Sequence, residues 1–236
     1  MSPACRDLPC SLETVPLRPA PGEVVALLGA PEARAAALHA LAASAGGDGT
    51  VPTAELGLLC ARPRVFPWLD LAGNLAFALP NASPFEREGL IANVLVRVGL
   101  ATQARQRPGA LSPEGLLRLA IARLLLARPR LLLIDEPFAA LCEAARAELD
   151  AFLPELCGRG RPAVVFATGS IDAALRLADR ILVLPQQPGP VAFSLANLLA
   201  RPREQGSVGF LALRRELRRA LEREGRHVAP AVEAAA

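Results

Sequence analysis

All 26 basic residues of this chain are arginines; lysine is missing altogether, and so is tyrosine. Any mechanism that needs a lysine is thereby excluded. High arginine and alanine content also follows from base composition alone, so the swap is not itself a functional signal. The two histidines, His39 and His227, lie apart and read as a helix-face residue and a tail residue. Five cysteines (Cys5, Cys10, Cys60, Cys142 and Cys157) are odd in number and scattered, which fits a reducing compartment better than a disulfide framework. Cys5 and Cys10 lack the histidine or second cysteine pair that a metal site would add. No apolar run approaches the ~20 residues that a membrane span needs, because arginines interrupt the segment 116–134. The N-terminus has no signal-peptide core. The net charge of +3 is mild, and no basic patch of the nucleic-acid-binding kind precedes the C-terminal helix. These absences read as a soluble cytoplasmic chain with no nucleic-acid partner.

At 236 residues and 24.8 kDa, the length suits one large domain, or one domain with an inserted lobe. About half of the residues are hydrophobic, ample for a core.

The pattern turns on Leu131-Leu132-Leu133-Ile134-Asp135-Glu136-Pro137. A continuous apolar run is the mark of a strand buried on both faces, as in parallel sheets. Two adjacent carboxylates end it, at the place where open α/β sheets put their ligands. In phosphate-handling proteins an aspartate here holds nucleotide-bound Mg²⁺. A core strand ending in a solvated acidic turn is the plainer alternative.

Residues 1–16 are proline-rich and weakly patterned, and read as irregular. Pro21-Gly22 turns into a short buried strand, Glu23–Gly29, and Pro31 suits the first position of a helix that stops near Gly46-Gly47. Leu56–Cys60 is another short apolar strand. Residues 70–125 read as a helical lobe, with turns at Pro80-Asn81 and Pro108-Gly109. Within it Ser112 caps a helix that has Pro113 first and Glu114 in its first turn. A helix near 143–156, a strand Ala163–Thr168, a helix Ile171–Ala178 and a strand Arg180–Leu184 follow. A hairpin-like segment Pro190–Leu195 and an amphipathic helix Phe210–Glu224 precede the tail 227–236. Alternating strands and helices predict an α/β fold with a mainly parallel sheet.

In this order the landmarks become recognisable. A strand-glycine-loop-helix precedes Pro63-Arg64-Val65-Phe66-Pro67-Trp68. Leu111-Ser112 then opens a helix with Arg118-Leu119-Ala120-Ile121-Ala122-Arg123. After Leu131–Pro137 come Phe166-Ala167-Thr168, Ala178–Leu184 and a Pro202-Arg203 to Glu216 segment. The chain resembles the ATP-binding subunit of ABC transporters, specifically the nitrate/sulfonate/taurine import group, over residues 17–224. The resemblance implies a P-loop NTPase-like (RecA-like) core with an inserted α-helical lobe, spanning 17–226. It also implies ATP and Mg²⁺ as cofactors, a permease partner, and a place on the inner face of the cell membrane.

Residue by residue, the implied chemistry thins out. A P-loop, G-x-x-x-x-G-K-[ST], cradles phosphates with backbone N–H groups, a lysine and a metal-binding hydroxyl. Here the run is Gly29-Ala30-Pro31-Glu32-Ala33-Arg34-Ala35-Ala36. Ala35 takes the lysine position and Ala36 the hydroxyl position, while Glu32 and Arg34 replace glycines of the family loop. Arg34 offers a fork that substitutes for neither an ammonium nor a metal ligand. The family signature aligns with Leu111-Ser112-Pro113-Glu114-Gly115, in which Pro113 has no N–H and Glu114 repels phosphate. Ala61 stands for the family glutamine, Gly169 for the switch histidine and Cys142 for an aspartate. The adenine-stacking tyrosine has no counterpart.

Asp135 remains at the metal position and Glu136 at the general-base position, either as working groups or as inherited structure. Pro67 and Trp68 remain where the family faces its permease; a buried aromatic anchor is the other reading of Trp68. In the family, each nucleotide lies between one chain's P-loop and its partner's signature. A homodimer would have both sites impaired on both sides, and a heterodimer with an intact ATPase subunit would have each impaired on one. The expectation is a subunit with weak or absent ATP binding, acting as a structural or regulatory partner. A working ATPase with an atypical P-loop and a decaying gene product are the alternatives.

Overall fold

The computed structural model describes residues 19–47, 55–60, 63–136, 162–187 and 189–226. The expected irregular N-terminus, Cys5, Cys10, Ala61, Pro137, Cys142, Cys157, the helix near 143–156 and the tail lie outside them. The described residues fall into two units, one within Met1–Gly49 and Val164–Ala236, the other within Thr50–Ala163.

The first unit is built around β1 (Val24–Leu28), whose residues Val25 to Leu28 are fully buried. A strand this apolar needs cover on both faces and neighbours on both edges. Its neighbours are β4 (Ala163–Ala167) and β5 (Arg180–Val183), both parallel to it. The register runs from Val24 opposite Val164 on one side and from Val25 opposite Arg180 on the other. An antiparallel strand, β6 (Phe193–Ala196), extends β5. Three helices accompany these strands: α1 (Pro31–Gly47), α5 (Ile171–Leu177) and α6 (Val208–Arg226). The last begins at Val208 instead of Phe210 because the Ser207 hydroxyl accepts from the Phe210 N–H at 3.3 Å. Phe210, Leu217 and Ala220 form its buried stripe.

The second unit pairs β2 (Leu56–Cys60) with β3 (Leu131–Asp135) in parallel, Leu56 opposite Leu131 and Cys60 opposite Asp135. Leu132, Leu133 and Ile134 are buried, each contributing ~1.5–3 kcal/mol by leaving water. Helices α2 (Leu71–Ala76), α3 (Pro84–Arg97) and α4 (Pro113–Ala127) supply its remainder. Ser83 and Glu86 form a reciprocal capping box that starts α3. α4 stops at Arg128, which is left-handed at φ 48° and is followed by Pro129. No helix among the described residues is long and apolar enough to cross a membrane.

Candidate functional site

In the first unit, the turn from β1 to α1 holds the expected phosphate residues. Gly29 has φ +142°, and a Cβ there would lie 3.0 Å from the Leu184 carbonyl oxygen. Only glycine suits that backbone and that closeness. The helix begins immediately, at Pro31, which has no N–H to offer. The Arg34 N–H donates to the Ala30 carbonyl at 3.1 Å, so helical bonding already reaches back to Ala30. The Arg34 side chain turns inward as well. Its Nη1 donates to the Gly29 carbonyl at 3.0 Å, and the residue is only 4% exposed.

Glu32 is exposed in the first turn of α1, and Ala35 and Ala36 present only methyl groups. None of residues 30–36 has a positive φ, whereas an anion nest needs backbone of alternating hand with successive N–H groups turned outward. The residues at this turn do not fit the phosphates of a P-loop nucleotide. The structure thus brings Gly29 and Arg34 together, but for each other.

At the end of β3, in the second unit, Asp135 and Glu136 are both half-buried. Asp135 keeps the hard oxygen donor that Mg²⁺ takes from a protein. Glu136 has φ 41°, left-handed for a residue with a side chain. Such backbone costs ~1–3 kcal/mol and persists where the surroundings over-determine it.

Ser112 is exposed and spends its hydroxyl as a cap, accepting from the Gly115 N–H at 3.2 Å. Pro113 is the first residue of α4 and Glu114 lies in its first turn, as the sequence predicts. In the first unit, Gly169 is exposed beside Thr168 and Ser170. Ser170 caps α5 through the Ala173 N–H at 3.2 Å, so this turn serves the helix start.

The loop carrying Pro67 and Trp68 corrects one expectation. Trp68 is 67% exposed and therefore not a buried anchor. Its ring lies 5.6 Å from Phe66, which in turn lies 4.6 Å from Phe77, itself 62% exposed. The loop is held from beneath. Buried Asn74 accepts the Phe66 N–H at 2.7 Å and donates to the Phe66 carbonyl at 3.1 Å. Arg123 of α4 donates to the Arg64 carbonyl at 2.8 Å, and its own burial lowers its pKa against the opposing effect of Cys60. Neither Asn74 nor Arg123 stands out as a positioning residue in the sequence. An asparagine inside a helical stretch, where it has no propensity to be, is the one signal that was there to read.

No family model matches the chain. Curated relatives do. The chain is 36% identical over 218 residues to the aliphatic sulfonates import ATP-binding protein SsuB 2 of Burkholderia lata, covering 87% of this chain and 79% of that one. It is 35% identical over 208 residues to SsuB 1 of Xanthomonas axonopodis pv. citri, covering 82% of each. With SsuB 1 of Pseudomonas fluorescens it is 39% identical over 210 residues, covering 87% and 79%. A solved structure described as the ATP-binding subunit of an ABC transporter superposes with a TM-score of 0.63 at 22% identity, covering 75% of this chain and 79% of that one. That likeness shows the fold, a mainly parallel α/β arrangement of the P-loop NTPase type. The chain belongs to the family of ABC-transporter ATP-binding subunits, in the group that these SsuB proteins represent.

Proposed function

We propose that this chain is a catalytically impaired cassette subunit of an importer for small anions of the aliphatic sulfonate kind, kept as a structural or regulatory partner. The cargo class rests on what the relatives are named for. The impairment rests on one observation, the β1–α1 turn: helix from Pro31, Arg34 bonded inward to Gly29, and no lysine anywhere. Losing charge-assisted hydrogen bonds worth ~1.5–3 kcal/mol each weakens nucleotide affinity by orders of magnitude. At the signature, Ser112 is committed to its cap, and Pro113 and Glu114 oppose phosphate.

In this reading the ABC-type domain spans 17–226, with a helical lobe of about 70–125. Asp135 marks a Mg²⁺ position and Glu136 a general-base position left idle; Ala36, in the first unit, offers no hydroxyl. Pro67 and Trp68 face a permease subunit, which keeps the chain peripheral on the inner face of the membrane. An intact ATPase subunit, or a second copy of this chain, completes the dimer.

Calorimetric titration of the purified chain with ATP and Mg²⁺ tests the reading. No heat of binding up to millimolar nucleotide is expected; micromolar binding would overturn it. The strained Glu136 favours a second reading, a working ATPase that uses Arg34, Asp135 and Glu136. Glu136→Gln leaving any measured turnover unchanged would remove that alternative.

A further inference from the structure

We infer that Arg34 is a built-in lock on the β1–α1 turn, and that restoring the missing lysine and hydroxyl alone does not reopen it. This deepens the impaired-subunit reading and rests on it. Four observations converge within the first unit. The helix starts two residues after Gly29, at Pro31. The Arg34 amide is already spent on the Ala30 carbonyl at 3.1 Å. The guanidinium is bonded at 3.0 Å to the Gly29 carbonyl, five residues back and across the same turn. The residue is buried to 4% exposure, so its charge is turned into the protein and not toward an incoming anion.

Each end of the side chain therefore ties the same short segment down. The backbone end fixes residues 30–34 as helix, and the fork end fixes the carbonyl of Gly29. A phosphate cradle would need the reverse: residues 30–34 unwound, with their N–H groups outward. Opening the turn means breaking the guanidinium–carbonyl bond and exposing a buried arginine. A lysine at position 35 or a serine at 36 would sit on α1 beyond the lock and relieve neither tie. Glu32, exposed in the first turn, adds a favourable carboxylate to the helix start and an unfavourable one to any phosphate.

Four purified chains test the lock: native, Ala35→Lys with Ala36→Ser, Glu32→Gly with Arg34→Gly, and all four changes together. Each is titrated with ATP and Mg²⁺ by calorimetry and melted without nucleotide. The lysine-serine variant is expected to bind no better than the native chain, and the fourfold variant at least tenfold more tightly. A separate Arg34→Ala variant is expected to lower Tm by about 3–8 °C. Tight binding by the lysine-serine variant but not by the native chain would overturn the lock and leave the impaired-subunit reading standing. Tight binding by the native chain would overturn both.

Should the glycine variants fail to fold, amide hydrogen exchange on the native chain decides. Strong protection of the Arg34 N–H, with fast exchange at Glu32, is the expected result. Exchange of the Arg34 amide at the rate of an unstructured peptide would refute the lock.

Discussion

Arg203 buries its guanidinium beside Asp179, with Nη2 3.2 Å from the carboxylate Oδ1. The same fork closes the end of α5. Nη1 donates to the Ala178 carbonyl at 2.7 Å and to that of Arg176 at 3.2 Å, and Nε donates to the Leu199 carbonyl at 3.1 Å. Asp179 meanwhile accepts the Val24 N–H on its other oxygen at 3.2 Å, joining this cluster to β1. Burial pushes the Arg203 pKa down and the nearby Arg201 charge adds to that; Asp179 opposes both.

Removing this side chain takes a donor from the Arg176 and Leu199 carbonyls, at ~1–3 kcal/mol each before relaxation, while Asn197 and Arg201 still reach Ala178 and Asp179. Arg203→Ala is expected to lose about 2–4 kcal/mol in urea unfolding. Arg203→Lys recovers little of it, because one ammonium cannot replace a fork that reaches in several directions. An unchanged unfolding midpoint in the alanine variant would refute the role.

Gly57 has no room for a side chain. A Cβ there would lie 2.7 Å from Pro129 Cγ and 2.8 Å from Leu124 Cδ2. Gly57→Ala is therefore expected to cost about 1–3 kcal/mol by overpacking, although alanine is the better strand residue. Thermal melts of the two chains give the answer directly. A stabilised variant would mean that α4 yields easily.

The start of α3 depends on pH. Hydrogen bonds from the Ser83 hydroxyl and then the Ser83 N–H hold the Glu86 pKa below the usual glutamate range. A carboxylate whose pKa is depressed on folding contributes stability above its unfolded pKa and loses it as pH falls through the folded one. Protection of amides in the first turn of α3, relative to an unstructured peptide at the same pH, should thus fall below that range, and not in Glu86→Gln. The NMR titration of Glu86 should have its midpoint below that of an exposed glutamate; a midpoint at the ordinary value would contradict the capping box.

The single tryptophan is a reporter in place. Exposed Trp68 should emit as a solvated indole and be quenched readily by acrylamide. Trp68→Ala should change stability by no more than ~0.5 kcal/mol, as exposed positions do. Adding a permease from the same importer should shift the emission to the blue and protect it from quenching. An unshifted spectrum in a complex that demonstrably forms would move the docking surface elsewhere.

Most elements are legible from local pattern alone. Continuous apolar runs at Val24–Leu28 and Leu131–Ile134 mark buried parallel strands. Ser112-Pro113-Glu114 marks a helix start, because capping involves residues only three positions apart. The absence of lysine is composition, and the alanine at position 36 is read directly from the sequence. Tertiary structure decided where side chains of ambiguous purpose point. In the sequence Arg34 is an imperfect stand-in for a phosphate ligand; packing turned its fork onto the Gly29 carbonyl. Trp68 read equally as anchor or contact until Asn74 and Arg123 fixed its loop with the ring outward. The clamp that Arg203 makes is not legible in the sequence, because its partners around the end of α5 lie 24 to 28 residues earlier in the chain. Periodicity and capping act over a turn or two of chain. The destination of a long, forked or aromatic side chain is set by neighbours that only folding brings near.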